Sequence, residues 1–224
     1  MAQLCPSCNK FAGLEMQDPE VNSVEIDVEK RIPVASGLGG GSSNAATVLL
    51  GLNRMWRLGL DRRTLMRLAL ELGADVPFFI FGAPAFARGI GEALEDFSVP
   101  PIWFAVLAPR VRVSTATMFA APELTRQTPS AKINVFSEAY GGNDLQAVAV
   151  SRFPEISACL ALLAREAPRD VRVSMSGSGG SVFAAFAEEN AAVQSLSRAI
   201  RAGGVEGFVA RSLARHPLQH FAAP

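Results

Sequence analysis

The stretch Gly37-Leu38-Gly39-Gly40-Gly41-Ser42-Ser43-Asn44-Ala45-Ala46 decides how this chain is read. Four of its first five residues are glycine, two hydroxyls follow, and a helix-forming run from 45 to 56 comes next. Glycine lets backbone N–H groups turn inward and approach a ligand closely. Ser42 or Ser43 is expected to cap the helix, leaving orphan N–H groups and the positive end of its dipole facing the loop. An anion suits such a place, a polyphosphate most of all. The plain alternative is a flexible linker. Linkers are seldom bracketed by an alternating strand pattern on one side and an apolar helix on the other.

Working outward, Val24, Ile26 and Val28 alternate with Glu25, Asp27 and Glu29, the period of a half-buried strand that Pro33 ends. Past the loop, the apolar stripe Ala45, Ala46, Val48, Leu49, Leu52, Met55 and Trp56 predicts a helix closed by Gly59. Asp61 is placed to cap a second helix that Gly73 ends. Gly73-Ala74-Asp75-Val76-Pro77-Phe78-Phe79 then sets one acid at a junction between a helix and an apolar run. On the residues alone Asp75 reads as an N-cap or turn aspartate. Residues 85–92 read as a strand entering a glycine turn, and 102–107 as another strand. A short helix capped by Ser114 or Thr115 is expected at 114–119, a long loop at 125–142, and helices at 144–150 and 155–166. Strands at 171–175 and 182–186 flank Gly177-Ser178-Gly179-Gly180, which a tight hairpin would explain equally well. A helix at 188–201 and a strand at 207–213 complete the order. The pattern predicts an α+β fold, an antiparallel sheet covered by helices. A boundary is expected near Val99-Pro100-Pro101, giving an N-terminal domain that carries the glycine loop at 1–98 (1–20 unassigned) and a C-terminal domain at 99–224.

Composition narrows the function classes. Of 224 residues, 49% are hydrophobic and 19% charged, and the formal net charge is zero. Nothing here advertises nucleic acid or an anionic membrane as a partner. Cys5, Cys8 and Cys159 form no disulfide framework, which points to a reducing, cytoplasmic setting. Cys5-Pro6-Ser7-Cys8 is half of a zinc knuckle with no second pair at a usable spacing, so no metal ligands are assigned. The loop is not the Walker pattern, because no Gly-Lys-Ser/Thr closes it. Nor does it have the spacing of the dinucleotide fingerprint.

Four segments, at 33–46, 73–79, 89–92 (Gly89-Ile90-Gly91-Glu92) and 176–180 (Ser176-Gly177-Ser178-Gly179-Gly180), occur in the order found in the GHMP kinases, and the chain resembles that family from about residue 24 onward. The resemblance implies the two-domain fold of those enzymes and transfer of a phosphoryl group from ATP, with Mg²⁺, to an alcohol. It implies that Gly37, Leu38, Gly39, Gly40, Gly41, Ser42 and Ser43 hold the triphosphate. Asp75 would then be the catalytic aspartate that takes the proton from the substrate hydroxyl. Thr115, Phe119, Gly177, Ser178 and Gly179 would border the substrate, with Phe119 stacking on a cytosine. The substrate so implied is a cytidine diphosphate-linked methylerythritol of isoprenoid precursor synthesis; homoserine- or mevalonate-type activity and a non-catalytic nucleotide binder are the alternatives.

Two family motifs do not precede residue 24. One is Pro-x-Lys-x-Asn, whose lysine acts beside the aspartate; the other is Asp-Gly-Tyr-His, whose tyrosine completes the cytosine clamp. Lys10 has the wrong neighbours, and Ala131-Lys132-Ile133-Asn134 lies after the loop and is read as chance. On this reading an N-terminal segment is lacking and turnover is expected to be weak or absent. Exposed sheet edge and core are expected to invite either association, as in a homodimer, or partial disorder. Arg88 also departs from the family pattern, which has an acid or small residue there.

Overall fold

The computed structural model describes residues 24–126 and 142–223. The expectations that concern Cys5, Cys8, Lys10 and 131–134 lie outside the described residues. So does most of the loop expected at 125–142.

The chain builds two apolar cores. The first forms where α1 (Gly40–Met55), α2 (Arg62–Leu72) and α3 (Val76–Phe81) meet. In α1 the buried positions are Ala46, Leu50 and Asn53, in α2 Leu65 and Ala69, each set spaced to fall on one helical face. Asp61 caps α2 as predicted, its Oδ1 accepting from Thr64 N at 2.7 Å. Leu50, Leu65 and Ile80 are almost fully enclosed, each worth roughly 1.5–3 kcal/mol of burial.

The second core lies under a four-stranded antiparallel sheet. Its strands are β3 (Trp103–Leu107), β4 (Val173–Met175), β5 (Val182–Phe186) and β6 (Gly207–Arg211), in the order β4-β5-β3-β6. Strand β5 alternates buried and half-buried residues, and α6 (Pro154–Glu166) and α7 (Glu189–Gly203) pack their apolar stripes on the sheet. Helices α4 (Thr115–Phe119) and α5 (Asp144–Arg152) add Met118, Val148 and Ala149 to the same core. A two-stranded hairpin, β1 (Ala85–Arg88) with β2 (Ala93–Asp96), follows α3 in the chain. This is the expected α+β architecture. Strand β2 was not foreseen: Ala-Leu-Glu-Asp is too short and too poor in β-branched residues to announce itself.

Three local expectations need correction. Residues 24–30 form no strand and pair with none among the described residues, and Val24, Ile26 and Val28 stay 41–50% exposed. Alternation marks a segment able to form a strand, but a strand exists only where a neighbour takes up its N–H and C=O groups. Ser42 and Ser43 do not cap α1. The helix begins earlier, at Gly40, with Gly39 at the N-cap in the left-handed region and no side-chain cap bond. Nor is Gly59 the end of α1, which stops at Met55 when Arg57 turns left-handed.

Candidate active site

The glycine segment is held in place by the second glycine loop. Gly37 has φ +74°, and a Cβ there would lie 2.1 Å from the backbone oxygen of Ser176, so only glycine fits. Ser176 Oγ donates to Gly37 O at 2.8 Å, and Ser181 N donates to Ser36 O at 2.9 Å. The loop between β4 and β5 is therefore both the hairpin connection and the clamp on the first loop. Behind it, Asn143 at the N-cap of α5 donates to Met175 O and Gly177 O at 3.0 and 2.8 Å.

On the other side the first loop rests on the segment after Asp75. A Cβ on Gly39 would sit 2.9 Å from the Phe79 ring, so the N-terminus of α1 packs directly over α3. Asp75 occupies the N-cap position of α3 but accepts no capping hydrogen bond, and its side chain is exposed. The turn reading of Asp75 explains its backbone and leaves its carboxylate uncommitted.

These elements enclose an open cleft of about 870 Å³. Its wall includes Gly37, Leu38, Gly39, Gly40, Gly41 and Ser42 of the first loop, Asp75, Thr115 and Phe119 of α4, and Gly177 and Ser178 of the second loop. Thr115 Oγ1 and Ser178 Oγ share a hydrogen bond of 2.8 Å that joins α4 to the second loop. The structure thus brings together every candidate residue except Ser43 and Gly179. Ser43 lies one step further into α1, its N–H already bonded to Gly39 O. Gly179 is buried against Met175, Val113 and Ile156, and faces the core.

The cleft also receives residues to which no role was given. Lys30 reaches it, and Asn44, with its amide turned to suit its neighbours, accepts from Lys30 Nζ at 3.2 Å and donates to Gly40 O at 3.0 Å. Arg126, Asn143 and Asp144 also line the cleft. A cation a few residues before a glycine loop was the available signal for Lys30. Nothing local marks Arg126, whose partners lie within α4 and the turn after it. Arg88 is explained outside the cleft, where it pairs with Glu95 across the hairpin at 3.4 Å and lies over the Phe86 ring.

A triphosphate fits what is present. The N-terminus of a 16-residue helix opens into the cleft with no side-chain cap and no acid in its first turn. Its first N–H groups therefore have no intrahelical partner and point toward any anion there. A Cβ added to Gly41 would meet nothing within 4 Å, so there is room at that turn. Among the described residues no cluster of three His, Cys, Asp or Glu side chains could hold a metal ion. Magnesium at such sites is commonly held by phosphates, water and one or two carboxylates, so a dedicated protein cage is not required. No single helix among the described residues is long and apolar enough to cross a membrane.

The chain is similar over most of its length to known proteins. The family described as GHMP kinases N terminal domain matches residues 8–83, and GHMP kinases C terminal matches residues 122–205. A 4-diphosphocytidyl-2-C-methyl-D-erythritol kinase of Thiobacillus denitrificans is 52% identical over 198 residues, covering 88% of this chain and 69% of that protein. The enzyme of the same name from Nitrosospira multiformis is 50% identical over 219 residues, covering 98% and 73%. Among solved structures, a 4-(cytidine 5'-diphospho)-2C-methyl-D-erythritol kinase superposes with a TM-score of 0.69 at 34% identity, over 82% of this chain and 68% of that one. A homoserine kinase from Cytophaga hutchinsonii shares the fold, with a TM-score of 0.57 at 18% identity over 84% and 69%.

Proposed function

The chain belongs to the GHMP kinase family, and from that premise we propose that it transfers the γ-phosphoryl group of ATP to a hydroxyl of 4-diphosphocytidyl-2-C-methyl-D-erythritol. The observation that carries the reading is the shared cleft: an uncapped helix N-terminus, an uncommitted carboxylate and an exposed aromatic border one cavity.

Phosphoryl transfer asks mainly for positioning and charge neutralisation. The amides at the start of α1 bind and orient the triphosphate, and the helix dipole favours its negative charge. Ser42, free of capping duty, offers its hydroxyl from the same turn. Bound Mg²⁺ would supply charge neutralisation on the phosphate oxygens. Asp75 accepts the proton of the attacking hydroxyl and orients that oxygen in line with the phosphorus. Phe119, 54% exposed, offers a face on which cytosine stacks, and Thr115 with Ser178 borders the same wall. Catalysis needs no phosphorylated enzyme intermediate, because the acceptor and the donor share one cleft.

Incubating the chain with Mg-ATP and 4-diphosphocytidyl-2-C-methyl-D-erythritol, homoserine or mevalonate tests the proposal. Slow formation of phosphorylated product from the cytidylyl compound alone, lowered roughly a further 10²–10⁴-fold by Asp75→Asn, is expected. Phosphorylation of homoserine instead would overturn the substrate assignment. ATP binding with no product from any acceptor would favour a nucleotide-binding protein without turnover.

A further inference from the structure

Phe119 presents a problem of support. Its ring is more than half exposed, so the core does not fix its direction; the backbone must. That backbone belongs to α4, only five residues long and far below the length at which a helix holds itself. Its N-terminus is secured by Ser114, whose side chain accepts from Thr117 N, and its middle by Met118, which is buried. At its C-terminus Ala120 N donates to Ala116 O at 3.0 Å and Ala121 N to Met118 O at 3.3 Å, but among the described residues no backbone N–H reaches Phe119 O.

Arg126 takes that place. The chain turns after α4, is pinned at Glu123 by Arg152 Nη2 at 2.6 Å and by the burial of Ala121, and then folds back. Arg126 Nη2 donates to Phe119 O at 2.7 Å and to Ala121 O at 3.4 Å. A guanidinium at this end also complements the negative pole of the helix. We propose that Arg126 is a positioning residue for pyrimidine recognition, holding the last turn of α4 so that the Phe119 ring stands over the cleft. It acts through Phe119 and does not itself bind the base. The inference rests on the proposed stacking of cytosine on Phe119.

Calorimetric titration of the full chain with CDP, and separately with Mg-ADP, tests it. Arg126→Met is expected to weaken CDP about fivefold to tenfold and to leave Mg-ADP within about twofold, since the hydrogen bonds of Arg126 go to Phe119 O and Ala121 O and to neither glycine loop. Arg126→Lys, which keeps a donor at the same end, is expected to recover most of the CDP affinity. In a Phe119→Ala background the Arg126→Met change should cost almost nothing more, because residues acting as a unit are not additive. Unchanged CDP affinity in Arg126→Met would overturn the inference, and so would equal losses for both nucleotides in Arg126→Met and Arg126→Lys. A loss fully additive with Phe119→Ala would overturn it too, by placing Arg126 directly on the ligand. Wild-type protein that binds Mg-ADP but not CDP would instead remove the substrate reading beneath it.

Discussion

Asp75 sits where an aspartate ordinarily caps a helix and does not cap it, which frees a charged oxygen for a reacting hydroxyl. Asp75→Asn keeps the size and removes the base. It should lower kcat by roughly 10²–10⁴-fold with little change in the KM for ATP, as steady-state kinetics on both substrates would show. Ser176 acts at one remove, through its 2.8 Å bond to Gly37 O. Its loss in Ser176→Ala removes about 0.5–1.5 kcal/mol of loop order, so the KM for ATP should rise roughly twofold to tenfold while kcat changes less. At this scale sequence was informative where chemistry is carried by residue type: the glycine run and the lone acid stand out. It was silent on Arg126 and Asn143, whose roles depend on carbonyls that only the folded chain brings to them.

Among the elements, α2 and the C-terminal segment show how local signals and long-range ones differ. The Asp61 cap is legible because donor and acceptor are three residues apart. Hydrogen bonds from Thr64 hold the Asp61 carboxyl below its ordinary range. A carboxyl so depressed contributes stability that is complete above its unfolded pKa, near ~3.9, and disappears as pH falls through the folded value. Asp61→Ala should therefore melt below wild type at neutral pH, and the gap should close in strong acid, as thermal melts across pH would record. The C-terminal segment gave no comparable signal. Asn53, buried within the apolar face of α1, bonds to Leu60 O at 3.1 Å, Phe221 O at 2.9 Å and Leu60 N at 3.0 Å. Arg62 adds bonds to Ile80 O and Gln219 O, and Arg62 N donates to Ala223 O at 3.0 Å. The end of the chain is thereby strapped across the helices that carry the phosphate loop. Asn53→Ala leaves buried groups unpaired and should destabilise the fold by about 1–3 kcal/mol, measured by urea denaturation. An isolated asparagine in an apolar stripe was the available hint, and it does not say which segment it will meet. The run at 24–30 shows the opposite error, a sound strand period with no partner among the described residues.

For the molecule as a whole, function depends on two glycine loops, about 140 residues apart, interlocking between two cores. The order of motifs implied that they cooperate; it could not show that one loop's carbonyl occupies the space of the other's absent side chain. Gly37→Ala sets a methyl against that carbonyl in a left-handed backbone, costing at least about 1–2 kcal/mol before any clash is counted. It should lose ATP binding and lower the melting temperature together. The most direct test of the account is a crystal structure of the chain with Mg-AMP-PNP. The account predicts phosphate oxygens within hydrogen-bond reach of the amides at Gly40, Gly41 and Ser42, with the Asp75 carboxylate facing the terminal phosphate across the cleft. Nucleotide seated away from the start of α1, or an Asp75 carboxylate turned out of the cleft in that complex, would contradict it.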